Sequence, residues 1–286
     1  MEQKRFTVPG PVLDAQGRPV PGYSTRSVLH YDRSAIKASP FRIKEWDFYQ
    51  VSDREKCLQF TLGHASYAGQ VGIMFFDFIK GEWIANFDKL LAFPFGSLHM
   101  PRDAEADHTL TCDKGGIFMQ YQVQGGTRVL RCKKGDFDAE ITLTRENPES
   151  IVINIPFDQK PTQFYYNHNC MRAGGRVRAG GKEYVFDPAD SFGLLDWGRG
   201  VWPFHNEWFW SNGTGLVGGE VFGFNLGCGF GNVGAATENT LFWRGAAHKL
   251  GRVSIVHEAD FMAPWRLTDE EGRLELVMTP TWDRTT

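Results

Sequence analysis

The sequence lacks any apolar run approaching the ~18–20 residues of a membrane-spanning helix, so no integral membrane segment is expected. The N-terminus, MEQKRFTVPGPVLDAQGRPVPG, carries charge and proline where a secretory signal needs an apolar stretch. The expected location is therefore cytoplasmic. Cysteine is sparse: the five residues Cys57, Cys112, Cys132, Cys170 and Cys228 are scattered, and none has CxxC spacing. That pattern excludes a disulfide framework and a cysteine zinc site. Histidine pairs of the HExxH or HxxxH type are absent, and His248 and His257 stand too far apart to suggest a metal site. Long basic runs are missing and the net charge is −3, which argues against a nucleic-acid partner. A phosphate loop of GxxxxGKS/T type and a GxSxG nucleophile elbow are also missing. No cofactor is expected.

Aromatic residues make up 14% of the chain, glycines number 32, and both concentrate between Leu194 and Gly231. The second half of that stretch has a period of two. Phe222, Phe224, Leu226, Cys228 and Phe230 fall on one face of an extended strand, and Gly223, Asn225, Gly227, Gly229 and Gly231 on the other. A bare face marks a place where something packs close to the backbone. The candidates are the upstream tryptophans or a ligand.

Period-two segments dominate elsewhere as well. Leu58, Phe60 and Leu62 alternate with polar residues, as do Ile117, Met119, Tyr121 and Val123. Gln124-Gly125-Gly126-Thr127 has the composition of a hairpin turn. Phe137–Thr144 is the cleanest half-buried strand, and Ile151, Ile153, Ile155 and Phe157 follow the turn at Glu146–Glu149. Val253 with Ile255, and Leu274 with Leu276, mark later strands. Helical spacing is confined to short candidates at Ala65–Ala68 and Asp88–Leu91, and the first forty residues suggest loop or extended chain over a surface. The fold class is all-β, a sandwich or barrel architecture. A boundary near Asp158–Thr162 would divide the chain into units of residues 1–160 and 161–286.

Asp196-Trp197-Gly198-Arg199-Gly200-Val201-Trp202-Pro203, Trp208-Phe209-Trp210, Gly223–Gly231, Glu238-Asn239 and Gly245 to Leu250 together resemble the DUF2804 family, whose function is unknown. Arg42-Ile43-Lys44-Glu45-Trp46-Asp47-Phe48-Tyr49 resembles that family's N-terminal signature. The family is similar, more distantly, to tandem lipocalin-like proteins that include CrtC-type carotenoid hydratases and the AttH-like group. The resemblance implies two consecutive lipocalin-like, barrel-like units and hydrophobic ligands, with no established reaction. Family members continue for several strands beyond Asp283-Arg284, so it also implies a shortened second unit.

The candidate chemistry centres on Asp196. A carboxylate among tryptophans has its pKa raised by desolvation or is held ionised by an arginine. Asp196 is thus a candidate general acid with Arg199 orienting it, or half of an ion pair that pins the loop. His205 is a candidate proton relay or a structural loop histidine. Glu238 either caps a turn with Asn239 or stands as a second carboxylate opposite Asp196. Trp197, Trp202, Trp208, Trp210, Phe224 and Asn225 are candidate ligand-binding residues, the tryptophans able to stabilise developing positive charge through their faces. The leading expectation is an apolar-ligand protein catalysing hydration, isomerisation or cyclisation by proton transfer. The alternatives are a non-catalytic carrier of apolar small molecules and, less favoured, a carbohydrate-acting protein. The expected partner is an apolar small molecule, with a homo-oligomer compatible with the sequence.

Overall fold

The computed structural model describes residues 2–65, 67–157 and 162–283. Among them there is no α-helix; two short 3-10 turns, Arg33–Ala35 and Pro40–Arg42, are the only helical elements. Three short strands open the chain: β1 (Gly10–Pro11), β2 (Gly22–Ser24) and β3 (Leu29–His30). A meander follows, with β4 (Ile43–Ser52), β5 (Lys56–His64), β6 (Ala68–Asp77) and β7 (Glu82–Ala92). A second meander comprises β8 (His108–Lys114), β9 (Ile117–Gln124), β10 (Thr127–Lys134) and β11 (Phe137–Thr144). Next come β12 (Ile151–Pro156), β13 (Thr162–Ala179), β14 (Lys182–Phe186) and β15 (Phe192–Val201).

Apart from β1 and β3, which pair only with each other, these strands form one 13-stranded sheet whose main path runs β7-β6-β5-β4-β15-β13-β11-β10-β9-β8. It curls until β6 approaches β9, giving a nearly closed barrel. The later strands are β16 (Phe209–Val217), β17 (Glu220–Cys228), β18 (Thr240–Trp243) and β19 (Ala246–Lys249) in one sheet. A last sheet holds β20 (Val253–Val256), β21 (Trp265–Asp269) and β22 (Glu275–Met278).

Alternation builds the barrel interior. Tyr49, Val51, Leu58, Phe60, Leu62, Tyr121, Leu195 and Trp197 share one core, so odd positions of β4 and β15 point inward and even positions point out. The outer face of β4, β15 and β13 meets the later sheets: Gln50 donates to Asn212 at 3.2 Å. Ile153, Tyr165, Phe230 and Phe242 fill the seam between them.

The hairpin at Gly125-Gly126 forms as its glycines allow, both at positive φ (56° and 83°), with Gln124 opposite Thr127. The helical candidates fail. Asp88–Leu91 lies inside β7 and Ala68 begins β6, where ten pairings between the two strands, interrupted once by a register shift at Phe75/Phe76, override a weak local pattern. The N-terminal segment is more than a surface wrap, because Val12, Leu13, Leu29 and Tyr31 are buried in the barrel core. The expected boundary at Asp158–Thr162 falls on residues 158–161, outside the described set, and the flanking β12 and β13 are paired neighbours.

Candidate functional site: a carboxyl pair in the seam

Asp196 sits at the centre of β15, where it is the one residue of the strand not fully buried. Its backbone lies between Phe48 of β4 and Asn167 of β13. Oδ1 accepts the indole N–H of Trp46 at 2.9 Å. That indole lies flat on Gly198, where an added Cβ would meet its ring at 2.1 Å, and it packs at 4.6 Å against the ring of Trp202. Desolvation raises the Asp196 pKa to about 7, opposed by the Trp46 hydrogen bond and reinforced by Asp47.

Glu238 approaches from the other side of the seam. It precedes β18 and packs its carboxyl over Gly227, where an added Cβ would come within 2.1 Å of Oε1. Burial raises its pKa to about 7; Asn225 counteracts the rise and the charge of Asp196 adds to it. Asn225 is the connector. Its Nδ2 donates to Glu238 Oε2 at 3.1 Å, and its Oδ1 accepts from Trp210 Nε1 at 2.8 Å and from the Tyr165 hydroxyl at 3.4 Å. Burial also drives the Tyr165 pKa well up, with both carboxylates adding. Lys249 does not neutralise Glu238 directly: its ammonium donates to Thr237 Oγ1, Asn239 O and Leu250 O at 2.6–2.9 Å. Burial lowers the Lys249 pKa well below its usual value.

The expectation that Arg199 orients Asp196 is not met. Three residues apart on a strand, the two side chains project from opposite faces. Arg199 points into the barrel, pairs with Asp47 at 2.6 Å, donates to Trp46 O and Pro101 O, and lies 3.8 Å over the Trp197 ring. Trp197 is likewise a barrel-core residue, on the far side of the sheet from Asp196. His205 is exposed on the loop after β15. Trp202 reaches the site through Trp46. Trp208 precedes β16 rather than sharing a strand face with Trp210, and it packs against Phe230 at 5.3 Å. Phe224 lies over Gly213.

The bare face of β17 is the buried one. Gly223 admits Cys170 Sγ and Gly227 admits Glu238, while Gly229, just past the strand, lies against Glu207 and Trp208. Sequence reasoning missed four participants: Trp46, Asp47, Tyr165 and Asn167. Trp46 and Asp47 alternate in KEWDFY, a signal that they serve opposite faces. Asn167 is fully buried, yet neither amide atom makes a hydrogen bond to a described residue. An orphaned polar group of this kind costs about 1–3 kcal/mol. Among the described residues no group of three or more His, Cys, Asp or Glu side chains could hold a metal ion.

The family model for DUF2804, a domain of unknown function, matches residues 3–286. The chain belongs to the DUF2804 family. This DUF2804 chain matches no curated protein sequence. Its fold is similar to that of a protein designated AttH from Nitrosomonas europaea, with TM-score 0.57 and 14% identity over 85% of this chain and 81% of that one. It is similar to kievitone hydratase from Nectria haematococca, with TM-score 0.54 and 10% identity over 79% and 72% of the two chains. CghA bound to Sch210972 gives TM-score 0.52 and 11% identity over 91% and 80%. At these identities the likeness is one of fold, a lipocalin-like β architecture.

Two cavities of this DUF2804 protein include a tryptophan that hydrogen-bonds within the seam, and neither is lined by Asp196 or Glu238. One of about 450 Å³ is lined by Phe209, Trp210, Phe261, Trp265, Met278 and Trp282 among others. The other, about 290 Å³, lies beside Trp46, Lys44 and Leu90. Each touches the polar seam through the indole of one tryptophan, Trp210 or Trp46. No helix among the described residues is long and apolar enough to cross a membrane.

Proposed function

We propose that the protein binds an apolar small molecule and acts on it by cofactor-independent proton transfer, with Asp196 as the general acid. The observation that carries this reading is the state of Asp196: a partly accessible carboxyl held near pKa 7, among aromatic rings, with no cationic partner among the described residues. A general acid works best when its pKa lies near the operating pH. The protonated carboxyl gives its proton to an alkene or carbonyl of the ligand. The faces of Trp46 and Trp202 stabilise the positive charge that develops. In a hydration, water adds to the cation and returns a proton to the Asp196 carboxylate; in an isomerisation, the proton returns from the neighbouring carbon. Glu238, held at a similar pKa, is the second proton acceptor. The fold likeness to kievitone hydratase is compatible with this chemistry. The test is Asp196→Asn in a turnover assay with isoprenoid and phenolic alkenes: turnover falls by at least ~100-fold while ligand binding persists. Full turnover in that variant removes Asp196 from the role.

A second reading, a non-catalytic carrier, is favoured by the larger cavity, whose walls are mostly aromatic rings and thioethers. In a carrier, Asp196→Asn is silent and Trp265→Ala, which opens that wall, releases the ligand.

A further inference from the structure

Asn167 stands apart from the other asparagines of the seam. Asn169 donates to Phe224 O at 2.8 Å and accepts from Cys170 N at 2.7 Å. Asn239 accepts from Gly227 N at 2.6 Å and donates to Gly251 O at 2.9 Å. Asn225 uses both ends as described above. Asn167 is as deeply buried as these, comes close enough to the Tyr165 hydroxyl to ease its ionisation, and yet leaves both Nδ2 and Oδ1 without a hydrogen bond to any described residue. Buried carboxamides are satisfied in nearly all native structures, and each exception calls for a reason.

The register supplies one. Asn167 lies directly opposite Asp196 across β13 and β15, with Ile151 of β12 on its other side. Opposed residues on one face hold their Cβ atoms about 4.5–5.5 Å apart. The carboxamide therefore borders the same space as Asp196, whose Oδ1 alone is engaged by Trp46. Nδ2 needs an acceptor and Oδ1 needs a donor. A carbonyl or ether oxygen satisfies only Nδ2, and an ammonium only Oδ1. A hydroxyl satisfies both and still presents its oxygen to the Asp196 carboxyl.

We propose that Asn167 and Asp196 together form a docking point for a hydroxyl group, supplied either by a hydroxylated apolar ligand or by the water consumed in a hydration. Asn167 is then a positioning and specificity residue. The proposal rests on the proton-transfer reading of Asp196.

Binding of 2-naphthol and 2-methylnaphthalene, followed by quenching of tryptophan fluorescence, tests the ligand arm. The wild type binds 2-naphthol at least tenfold tighter, and Asn167→Leu abolishes that preference while still binding 2-methylnaphthalene. A high-resolution crystal structure of the wild type tests the water arm. An ordered water within hydrogen-bonding distance of both Asn167 amide atoms and Asp196, with no naphthol preference, assigns the docking point to water. A naphthol preference that survives in Asn167→Leu overturns the proposal, as does a wild type with neither preference nor ordered oxygen. If Asn167→Leu does not fold, or neither naphthalene binds, the crystal structure alone decides. Failure of both naphthalenes to bind counts against the apolar-ligand reading, and the presence or absence of the ordered oxygen then settles the role of Asn167. Loss of activity in Asp196→Asn is read separately, so the two ideas fail independently.

Discussion

The indole N–H of Trp46 on β4 donates to Asp196 Oδ1 on β15 at 2.9 Å, although the two residues are 150 positions apart in sequence. Trp46 lies over Gly198, two residues along from Asp196 on the same face, and closes one side of the carboxyl. This single contact holds the candidate acid in place, shields it from water, and leaves its second oxygen available.

The first expectation concerns pH. Burial raises Asp196 and Glu238 from 3.8 and 4.5 to about 7 in the folded protein. Between roughly pH 4 and 7 the folded state retains protons that the unfolded chain has released, so stability falls as pH rises through that window. Asp196→Asn should flatten the thermal denaturation profile across it. At pH 8 the variant should gain up to about 4 kcal/mol, on the order of 10 °C in Tm. A steeper profile in the variant would contradict a raised Asp196 pKa.

Arg199 should behave as a structural residue. Arg199→Leu leaves Asp47 buried without its guanidinium at 2.6 Å and removes the stack on Trp197. Breaking a buried pair by removing one partner costs about 3–5 kcal/mol. Urea denaturation should show that loss. If the protein keeps its stability and loses only turnover, Arg199 belongs to the chemistry.

Gly198→Ala tests the seat of Trp46. The new methyl would meet the indole at 2.1 Å, so ring or backbone must move, at a cost of about 1–3 kcal/mol. Displacing the indole from Asp196 should also shift the tryptophan emission and the pH dependence of turnover together. An unchanged spectrum would show that the ring does not rest there.

The aromatic cavity should bind probes independently of the carboxyls. Trp265 stacks on His257 at 4.4 Å and meets Phe209 edge-on at 5.6 Å. Trp265→Ala should lower the affinity for an apolar fluorescent dye by about tenfold, the effect of ~1.4 kcal/mol. Asp196→Asn should leave dye binding within twofold. Equal losses in both variants would merge the cavity and the carboxyl pair into one site.

His205 should be dispensable. It is exposed on its loop, and surface substitutions remote from such features stay within about 0.5 kcal/mol. His205→Ala should keep both Tm and turnover.

Much of the fold was legible in the sequence. Alternation at Phe137–Thr144, the glycine pair at the β9–β10 hairpin and the turn at Glu146–Glu149 are local features, and local sterics and burial of one face fix them. The desolvation of Asp196 was also legible, since a carboxyl embedded in aromatic sequence has its pKa raised by burial. The partners of the two carboxyls were not. Arg199 stands near Asp196 in sequence, but strand parity sends it through the sheet to Asp47. Trp46, Tyr165, Asn167 and Asn225 reach the carboxyls from β4, β13 and β17, whose pairing and packing depend on long-range contacts. Sequence by itself determined which residues form strands and which face of each is apolar. Only the tertiary structure decided which polar side chains share a face across paired strands and across the seam. Register and sheet packing are collective properties of segments far apart in the chain, and no local pattern encodes them.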